Sequence, residues 1–317
     1  MHWVEKYRPI CLEEITSQNN VIESLKKVLF TKNLSHLLFY GPSGCGKTST
    51  ILALAKELFG KEYWSDRIIE LNASDERGIN IVRDKIKMYA KKSIKYNSNI
   101  PPWKIIILDE ADTMTADSQF ALRRIMEEYS KITRFCIICN YHDKIIEPII
   151  SRCSLFCFKP ISEINIINRL NIISVNENCK ISENILKKIS KIARGDLRKA
   201  INLLQNCNNS FKNEDNEKLL DEFSGIIPID QFDNLFKYIF LKDINKINEI
   251  IHDLYINGYS LINQITSFHN FIILSNLSNE QKSNIINKIS DVDQNLIKGC
   301  DEYIQFVRIV YYIISVL

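Results

Sequence analysis

The stretch HLLFYGPSGCGKT, His36–Thr48, joins an apolar run to a glycine-rich segment that ends in lysine and threonine. His36–Tyr40 predicts a buried strand, and the apolar residues of Thr48–Phe59 recur at helical spacing. A loop of this composition between a strand and a helix is typical of a phosphate-binding loop, because its glycines let backbone N–H groups turn towards an anion. We therefore predict that Gly41–Thr48 binds the phosphates of a nucleotide. A glycine-rich turn without a ligand is the alternative.

The composition predicts a soluble globular protein. Of the 317 residues, 45% are hydrophobic and 25% are charged, and the net charge of +3 is too small to indicate a nucleic-acid-binding protein by itself. The nine cysteines show no disulfide framework, which favours a reducing compartment. The apolar tail Phe306–Leu317 contains Arg308 and is too short to cross a bilayer, so we expect a buried helix there.

Short apolar runs alternate with helical patterns in the first half of the chain. The predicted strands are His36–Tyr40, Ile68–Leu71, Ile105–Leu108, Phe135–Cys139 and Leu155–Phe158, and the predicted helices between them are Thr48–Phe59, Ile79–Tyr96 and Asp117–Tyr129. This alternation predicts an α/β fold, a parallel sheet with helices on both faces. After Pro160 the pattern is helical, apart from a polar loop at 208–218. We predict a nucleotide-binding domain over 1–161, a small helical domain over 162–226 and an all-helical domain over 227–317.

A second motif, IIILDE at Ile105–Glu110, places two carboxylates directly after a buried strand. Acids at this position emerge at the carboxyl edge of a parallel sheet, where open α/β folds bind their ligands. Together with the loop, the motif predicts that Lys47 reaches the β- and γ-phosphates and that Thr48 and Asp109 hold Mg²⁺. Glu110 is predicted to polarise the attacking water as general base. A strand that ends in a solvated acidic turn is the alternative.

These motifs stand in an order that resembles the AAA+ clamp loaders, and among them the small subunits of eukaryotic replication factor C. The stretches that carry the resemblance are WVEKYRP (Trp3–Pro9), LFYGPSGCGKTSTILALAKELFG (Leu38–Gly60), ELNASDERG (Glu70–Gly78), IIILDEAD (Ile105–Asp112), ALRRIMEEYS (Ala121–Ser130), FCIICNY (Phe135–Tyr141), ISRC (Ile150–Cys153) and GDLRKAIN (Gly195–Asn202). They cover residues 1 to about 205, and their wording most resembles the branch of human subunit four and yeast subunit two. The resemblance implies an AAA+ sheet domain, a helical lid domain and an all-helical collar domain.

The resemblance also implies roles that spacing alone leaves open. Asn140 matches the family's sensor one and Arg198 its sensor two, while Arg152 matches the arginine finger, which enters the site of an adjacent subunit. The structural alternatives are a strand-terminal turn for Asn140, an exposed helix arginine for Arg198 and a salt-bridge arginine for Arg152. The residues implied to bind ATP are Val4, Tyr7, Arg8, Pro9, Gly41, Pro42, Ser43, Gly44, Cys45, Gly46, Lys47, Thr48, Ser49, Asn140 and Arg198. The first four lie in an N-terminal arm, whose alternative role is to pack on the core.

Basic residues recur at every fourth position of the helix predicted after NASDERG: Arg83, Lys87, Lys91 and Lys95. Such a ridge could follow a phosphate backbone, although a charge run is usually only a solvated face. The resemblance implies that Arg77, Arg83 and Lys87 contact primer–template DNA, and it leaves Lys91, Lys92 and Lys95 open.

Three further residues lie close to or within ALRRIMEEYS, a stretch that the family links to the duplex and to the neighbouring subunit. Arg123 and Arg124 belong to the stretch itself, and Gln119 precedes it. A glutamine at this position is implied to couple adjacent sites to DNA, which we treat as a hypothesis.

The loop departs from the usual family wording, GPPGTGKT, at Ser43 and Cys45. Neither position needs its side chain for phosphate contact, so we expect activity to be kept. Cys45 would be sensitive to thiol reagents if the following helix N-terminus lowers its pKa.

Two other patterns suggest chemistry that we do not predict. Cys136 and Cys139 have zinc-like spacing but lie in an apolar strand, where a separation of three points them to opposite faces. The letters DEAD at Asp109–Asp112 suggest a helicase, but such helicases have two ATPase-like domains and only one is predicted here.

The resemblance implies an ATP-dependent clamp-loader subunit of replication and repair, with ATP and Mg²⁺ as cofactors. Its implied partners are the other replication factor C subunits of a heteropentamer, the sliding clamp and primer–template DNA, and its implied location is the nucleus. The alternatives are a helicase-type AAA+ DNA motor and a scaffold that binds ATP without turnover. Because the arginine finger should come from a neighbour, the isolated chain is expected to bind ATP but to hydrolyse it slowly.

Overall fold

A computed structural model describes residues 2–73, 79–92, 100–179, 181–210 and 217–317. The chain divides into two compact units, Met1–Asn208 and Asn209–Leu317. The first contains a sheet covered by helices, and the described part of the second is helical. The predicted domain limits at 161 and 226 stay a prediction.

The first unit is built on a parallel sheet, which has five strands within the described residues. They are β1 (His36–Tyr40), β2 (Ile68–Asn72), β3 (Lys104–Asp109), β4 (Thr133–Cys139) and β5 (Cys153–Cys157). Their order is β2-β3-β4-β1-β5, and each neighbouring pair runs parallel. Tyr40 at the end of β1 pairs with Cys139 on one side and Cys157 on the other, so the three strands end side by side. Leu108 near the end of β3 pairs with Ile137 of β4, so the segments that follow β1, β3 and β4 emerge at one edge.

The first unit also contains helices. They are α1 (Trp3–Lys6), α2 (Asn19–Thr31), α3 (Lys47–Arg67), α4 (Ile79–Lys91), α5 (Ala116–Glu128), α6 (Glu147–Ile150), α7 (Glu163–Asn176), α8 (Glu183–Ala193) and α9 (Leu197–Ser210). Of these, α2 and α3 pack on one face of the sheet and α4 and α5 on the other. Short 3-10 turns occupy Leu12–Glu14, Ala111–Thr113 and His142–Lys144. The helix α3 bends at Gly60, where φ is +69°, directly after the predicted helix end at Phe59.

Neighbouring residues of the central strands enter different cores. Leu37 and Ile105 pack with residues of α2 and α3, whereas Leu38 and Ile106 pack with residues of α4 and α5. Because both faces are covered, these strands are continuous apolar runs rather than alternating ones. This is why the sequence identified them.

The last strand and the helix α4 differ from their predicted limits. The prediction for β5 was Leu155–Phe158, but the strand begins at Cys153, because an edge strand with exposed residues lacks a continuous apolar run. The helix α4 ends at Lys91 rather than at residue 96, and residues 93–99 lie outside the described part. At this end, the buried Lys104 donates from Nζ to the carbonyl oxygens of Tyr89 and Lys92, the latter at 2.6 Å. It thereby satisfies carbonyl groups that a helix end leaves without partners.

The second unit consists, in its described part, of helices around an aromatic core. They are α10 (Glu217–Ser224), α11 (Ile229–Leu241), α12 (Ile244–Ile256), α13 (Leu261–Leu274), α14 (Asn279–Ile297) and α15 (Glu302–Val316). Phe236 and Phe271 stack with ring centroids 3.7 Å apart, and Phe268 meets Phe306 edge to face at 5.7 Å. The predicted tail helix corresponds to α15. Among the helices of the described residues, none combines the length and apolar character that crossing a bilayer requires.

From the surroundings of His36, at the start of β1, we predict that acid lowers the stability of the fold. Its Nδ1 accepts the backbone N–H of Phe135 at 3.1 Å, and burial, followed by the charge of Arg134, lowers its pKa from 6.5 to about 4. Between these pH values the unfolded chain binds a proton that the folded chain does not. The stability due to neutral His36 is therefore complete above pH 6.5 and is lost as the pH falls towards 4, by an amount of about 2–3 kcal/mol.

The variant His36→Asn provides the test, because asparagine offers an acceptor near the Nδ1 position and does not titrate. Urea unfolding midpoints are measured for both proteins at pH 7.5, 5.5 and 4.5. We expect a steeper decline on acidification for the original chain than for the variant. Parallel declines would show that His36 is not the titrating group.

Candidate functional site

A cavity of about 220 Å³ lies at the carboxyl edge of the sheet, within the first unit. Its lining includes the following predicted residues: Val4, Tyr7, Arg8, Pro9, Ser43, Gly44, Cys45, Gly46, Lys47, Thr48, Ser49, Asp109, Glu110, Asn140 and Arg198. Gly41 and Pro42 do not line it, although they belong to the same loop. The cavity therefore brings together the arm, the loop, both acids and both predicted sensors.

Lys47 connects the loop to the end of a neighbouring strand. Its side chain is only 8% exposed, and Nζ donates to the carbonyl oxygens of Gly41 and Pro42, each at 2.7 Å, and to Asn140 Oδ1 at 3.0 Å. All three acceptors are uncharged, so none of these hydrogen bonds neutralises the ammonium group, which can attract an anion in the cavity. The backbone of the loop can follow this course only with glycine at position 41, since a Cβ there would lie 2.2 Å from the carbonyl oxygen of Phe158.

Thr48 and Asp109 form the oxygen donor pair that the sequence predicted for Mg²⁺. Thr48 Oγ1 donates to Asp109 Oδ2 at 2.7 Å, across the gap between the start of α3 and the end of β3. The other carboxylate oxygen, Oδ1, accepts the backbone N–H of Glu110 at 2.9 Å. A hydroxyl and a carboxylate at this separation fit Mg²⁺, which prefers oxygen ligands and keeps several waters.

Glu110 has an unusual backbone for a non-glycine residue, with φ at +54°. The turn Ala111–Thr113 holds this conformation, because the backbone N–H and the hydroxyl of Thr113 both donate to the Glu110 carbonyl, at 3.0 and 2.7 Å. Its side chain is exposed and lines the cavity. Strained backbone of this kind is concentrated at functional sites, where it points a side chain in a required direction.

The backbone of Asn140 is fixed by a residue that the sequence did not single out. The backbone N–H of Asn140 donates to Asp112 Oδ2 at 3.3 Å, while its side chain accepts from Lys47. The pair Asp112 and Asn140 thus connects the end of β4 to the turn that follows β3.

The N-terminal arm is held by the helices that follow the sheet. Tyr7 donates from its hydroxyl to Glu177 Oε1 at 2.6 Å, and Arg169 Nη2 donates to the Tyr7 carbonyl at 2.8 Å. Lys6 forms an ion pair with the same Glu177 at 2.5 Å, which lowers the pKa of that carboxyl. The backbone N–H of Trp3 donates to Gln205 Oε1 at 3.1 Å. Sequence reasoning missed Glu177 and Arg169, because their partners lie about 160 to 170 residues away along the chain.

Arg152 does not line the cavity of its own chain. Its guanidinium pairs with Glu127 of α5 at 2.6 Å and donates to the Pro148 carbonyl at 2.7 Å. Arg123 contacts the same carboxylate at 3.0 Å, and the two arginines, Arg123 first, lower the pKa of Glu127.

Gln119 is buried in α5 at 2% exposure, and its amide is fully used within the chain. Nε2 donates to the carbonyl oxygens of Met114 and Lys144, at 3.2 and 3.0 Å, and Oε1 accepts the backbone N–H of Ile146 at 2.8 Å. It therefore joins the start of α5 to the segment before α6, and its implied coupling role stays a hypothesis.

The residues predicted to contact DNA are only partly described. Arg77 and Lys95 lie outside the described residues, and Arg83 lies in α4 with its side chain outside them. The side chains of Lys87, Lys91, Lys92 and Arg124 are exposed, and that of Arg123 is partly buried. Lys87 is thus available on the surface of α4.

The hypothesis that Cys45 is a reactive thiol is wrong. Its side chain is 1% exposed, Sγ donates to the Pro42 carbonyl at 2.9 Å, and burial raises the pKa of the thiol. The cost of burying a thiolate exceeds the attraction of the helix N-terminus and of nearby Lys47. In β4, burial likewise raises the pKa of Cys139 to about 12 and that of Cys136 well above its ordinary value, so both favour the neutral thiol.

Comparison with known protein families matches three parts of the chain. Residues 37–161 match the ATPase family associated with various cellular activities (AAA), 168–208 match the RCF1/5-like AAA+ ATPase lid domain, and 227–311 match the replication factor C C-terminal domain. The fold class predicted from the sequence, an AAA+ sheet domain followed by a lid and a further helical domain, is confirmed.

Curated relatives match nearly the whole chain. Human replication factor C subunit 4 is 45% identical over 97% of this chain and 86% of its own length, and subunit 2 of Saccharomyces cerevisiae is 43% identical over 97% and 91%. Small subunit 1 of Pyrobaculum islandicum is 40% identical over 96% and 92%. The solved structure of the Thermotoga maritima RuvB Holliday junction branch migration motor covers 78% of this chain and 85% of its own, with a TM-score of 0.54 and 17% identity, which shows a shared fold alone.

Thiol alkylation tests the burial of Cys45. After brief treatment of the native protein with iodoacetamide, we expect Cys45 to react about tenfold or more slowly than the exposed Cys157 and Cys300. Mass spectrometry of tryptic peptides measures all three in one sample, and a denatured sample confirms that each can be detected. Labelling of Cys45 as fast as Cys300 would contradict the buried, protonated thiol.

Proposed function

This chain belongs to the replication factor C family of AAA+ ATPases, and from that membership we propose that it is a clamp-loader subunit of DNA replication and repair. With the other subunits of a heteropentamer, ATP binding opens a sliding clamp and grips primer–template DNA. Hydrolysis then releases the closed clamp on the duplex. The nucleus is the proposed location.

The observation that supports this proposal best is the Lys47–Asn140 hydrogen bond beside the Thr48–Asp109 pair. Four side chains from three separate segments meet at one cavity, and each is of a type that nucleotide hydrolysis uses. Lys47 contacts the β- and γ-phosphates, while Thr48 and Asp109 hold Mg²⁺. When bound, the ion neutralises charge on the phosphates.

Glu110 and Asn140 act on the attacking water in this proposal. Both line the cavity, and Glu110 is placed there by its left-handed backbone. Glu110 polarises the water as general base, and Asn140 helps to place it. Arg198 reaches the nucleotide from α9, and Val4, Tyr7, Arg8 and Pro9 contact the adenine.

Arg152 supplies its charge to a neighbouring subunit. In its own chain it lies outside the cavity and pairs with Glu127 near the surface. A cation provided by a neighbour stabilises charge on the γ-phosphate only after two subunits meet. Assembly then controls turnover, because a site would lack this cation until a neighbouring subunit supplies it.

DNA contact is proposed for Arg77, Arg83 and Lys87. The exposed position of Lys87 on α4 supports this assignment. Such contacts bind phosphates without reading sequence, as a protein that acts at any primer end requires. A helicase-type motor is the alternative function, and a strand-unwinding assay separates it from clamp loading.

The variants Glu110→Gln and Arg152→Ala test the proposed division of labour. In the isolated chain, both should bind ATP as tightly as the original protein, because neither group carries the phosphate contacts. In the complex purified with its partner subunits, Glu110→Gln should abolish turnover at its own site. Arg152→Ala should slow turnover at the neighbouring site by about 10³-fold or more. ATPase rates with clamp and primed DNA measure both.

The conservative variant Arg152→Lys is the control for charge alone, and it should recover only part of the rate because lysine lacks the planar fork of arginine. A tenfold loss of ATP affinity in the isolated Arg152→Ala chain would place this arginine in its own site. Turnover that clamp and primed DNA do not stimulate would overturn the clamp-loader function itself.

A further inference from the structure

The phosphate-binding loop touches the first turn of α9 through two hydrogen bonds. Ser43 Oγ donates to Asp196 Oδ2 at 3.0 Å, and the backbone N–H of Leu197 donates to the Gly44 carbonyl at 3.2 Å. In the chain, the loop lies between β1 of the sheet and α3, whereas α9 belongs to the segment that matches the lid family. The Ser43–Asp196 contact therefore joins two parts of the nucleotide site that lie about 150 residues apart in the chain.

Both carboxylate oxygens of Asp196 are used. While Oδ2 accepts from Ser43, Oδ1 accepts the backbone N–H of Lys199 at 2.9 Å and so caps the start of α9. A capping residue is fixed relative to its helix, because its side chain bonds the helix backbone. Any movement of Asp196 relative to the loop therefore moves the whole first turn of α9.

The close approach depends on a glycine. Gly44 has φ at +65°, and a Cβ on it would lie 1.8 Å from Asp196 Oδ1. No larger residue could occupy this position without displacing the carboxylate. The carboxylate of Asp196 thus packs against the backbone of the loop, directly beside the residues that line the cavity.

Arg198 lies two residues beyond Asp196 and lines the same cavity. Given the nucleotide site of the proposed function, we propose that Asp196 and Ser43 are positioning residues. Their contact holds α9 on the loop and so places Arg198 against the terminal phosphate of ATP. The hydroxyl of Ser43 is essential to this contact, and a proline at position 43 could not make it. The Ser43–Asp196 contact makes binding of the triphosphate sensitive to the position of α9.

The test measures binding of ADP and of a non-hydrolysable ATP analogue to the full chain, by calorimetry in the presence of Mg²⁺. Ser43→Ala removes the hydroxyl, Ser43→Thr keeps it, and Asp196→Ser keeps a helix-capping oxygen that is too short to reach the loop. We expect Ser43→Ala and Asp196→Ser each to weaken binding of the ATP analogue by about fivefold, the loss of one hydrogen bond, and ADP binding by less than about twofold. Because Ser43→Thr keeps the hydroxyl, it should weaken binding of the ATP analogue less than Ser43→Ala does.

Two combinations show whether the contact acts through Arg198. In the double variant of Ser43→Ala and Asp196→Ser, the second change should add little, because both remove one contact. In an Arg198→Ala background, Ser43→Ala should no longer reduce binding of the ATP analogue. An equal loss for ADP and the ATP analogue with a lowered melting temperature would overturn the proposal in favour of a purely structural contact, as would unchanged or tighter binding.

These measurements need no clamp, DNA or partner subunit. If the chain lacks clamp-loading activity but Ser43→Ala and Asp196→Ser selectively weaken binding of the ATP analogue, the proposed function is contradicted and the role of the Ser43–Asp196 contact stays supported. A chain that binds neither nucleotide would contradict both.

Discussion

The side-by-side ends of β1, β4 and β3 are the constraint on which the rest of the site depends. The order β2-β3-β4-β1-β5 places β4 between β3 and β1, so the loop after β1 faces residues that follow the other two strands. Lys47 reaches Asn140 beyond β4, and Thr48 reaches Asp109 at the end of β3. These bonds are short because the parallel registers bring the three strand ends to one edge. The meeting of these side chains is thus a consequence of strand order.

Much of this arrangement was readable from the sequence. The central strands are continuous apolar runs, and the loop and the two acids follow them directly. The apolar runs therefore identified the strands, and the glycines and acids that end them identified the candidate site. The limits of β5 were predicted less well, because an edge strand is half exposed and leaves a weaker pattern. The C-terminal end of α4 was missed because it depends on Lys104, a residue that lies beyond the helix in the chain.

The remaining errors concern tertiary partners. The sequence suggested that Cys45 would be reactive if the helix N-terminus lowered its pKa, but burial raises the pKa of its thiol instead. Asp196 and Glu177 carried no local signal, since Ser43 and Tyr7 meet them only after folding. Sequence spacing identifies groups that share one segment or follow a common motif, whereas residues that position those groups are found only from the structure.

The surroundings of Arg152 suggest how assembly acts on the site. Its guanidinium lies near the surface, where it shares Glu127 with Arg123. An exposed ion pair contributes little to stability, so in the proposed assembly a phosphate bound by a neighbouring subunit could replace Glu127 without a large energetic loss. Glu127 keeps Arg123 as a partner after such an exchange, and its charge is therefore not left alone. Under the proposed function, this pairing would hold the arginine near the surface of one chain and leave it free to complete the site of another.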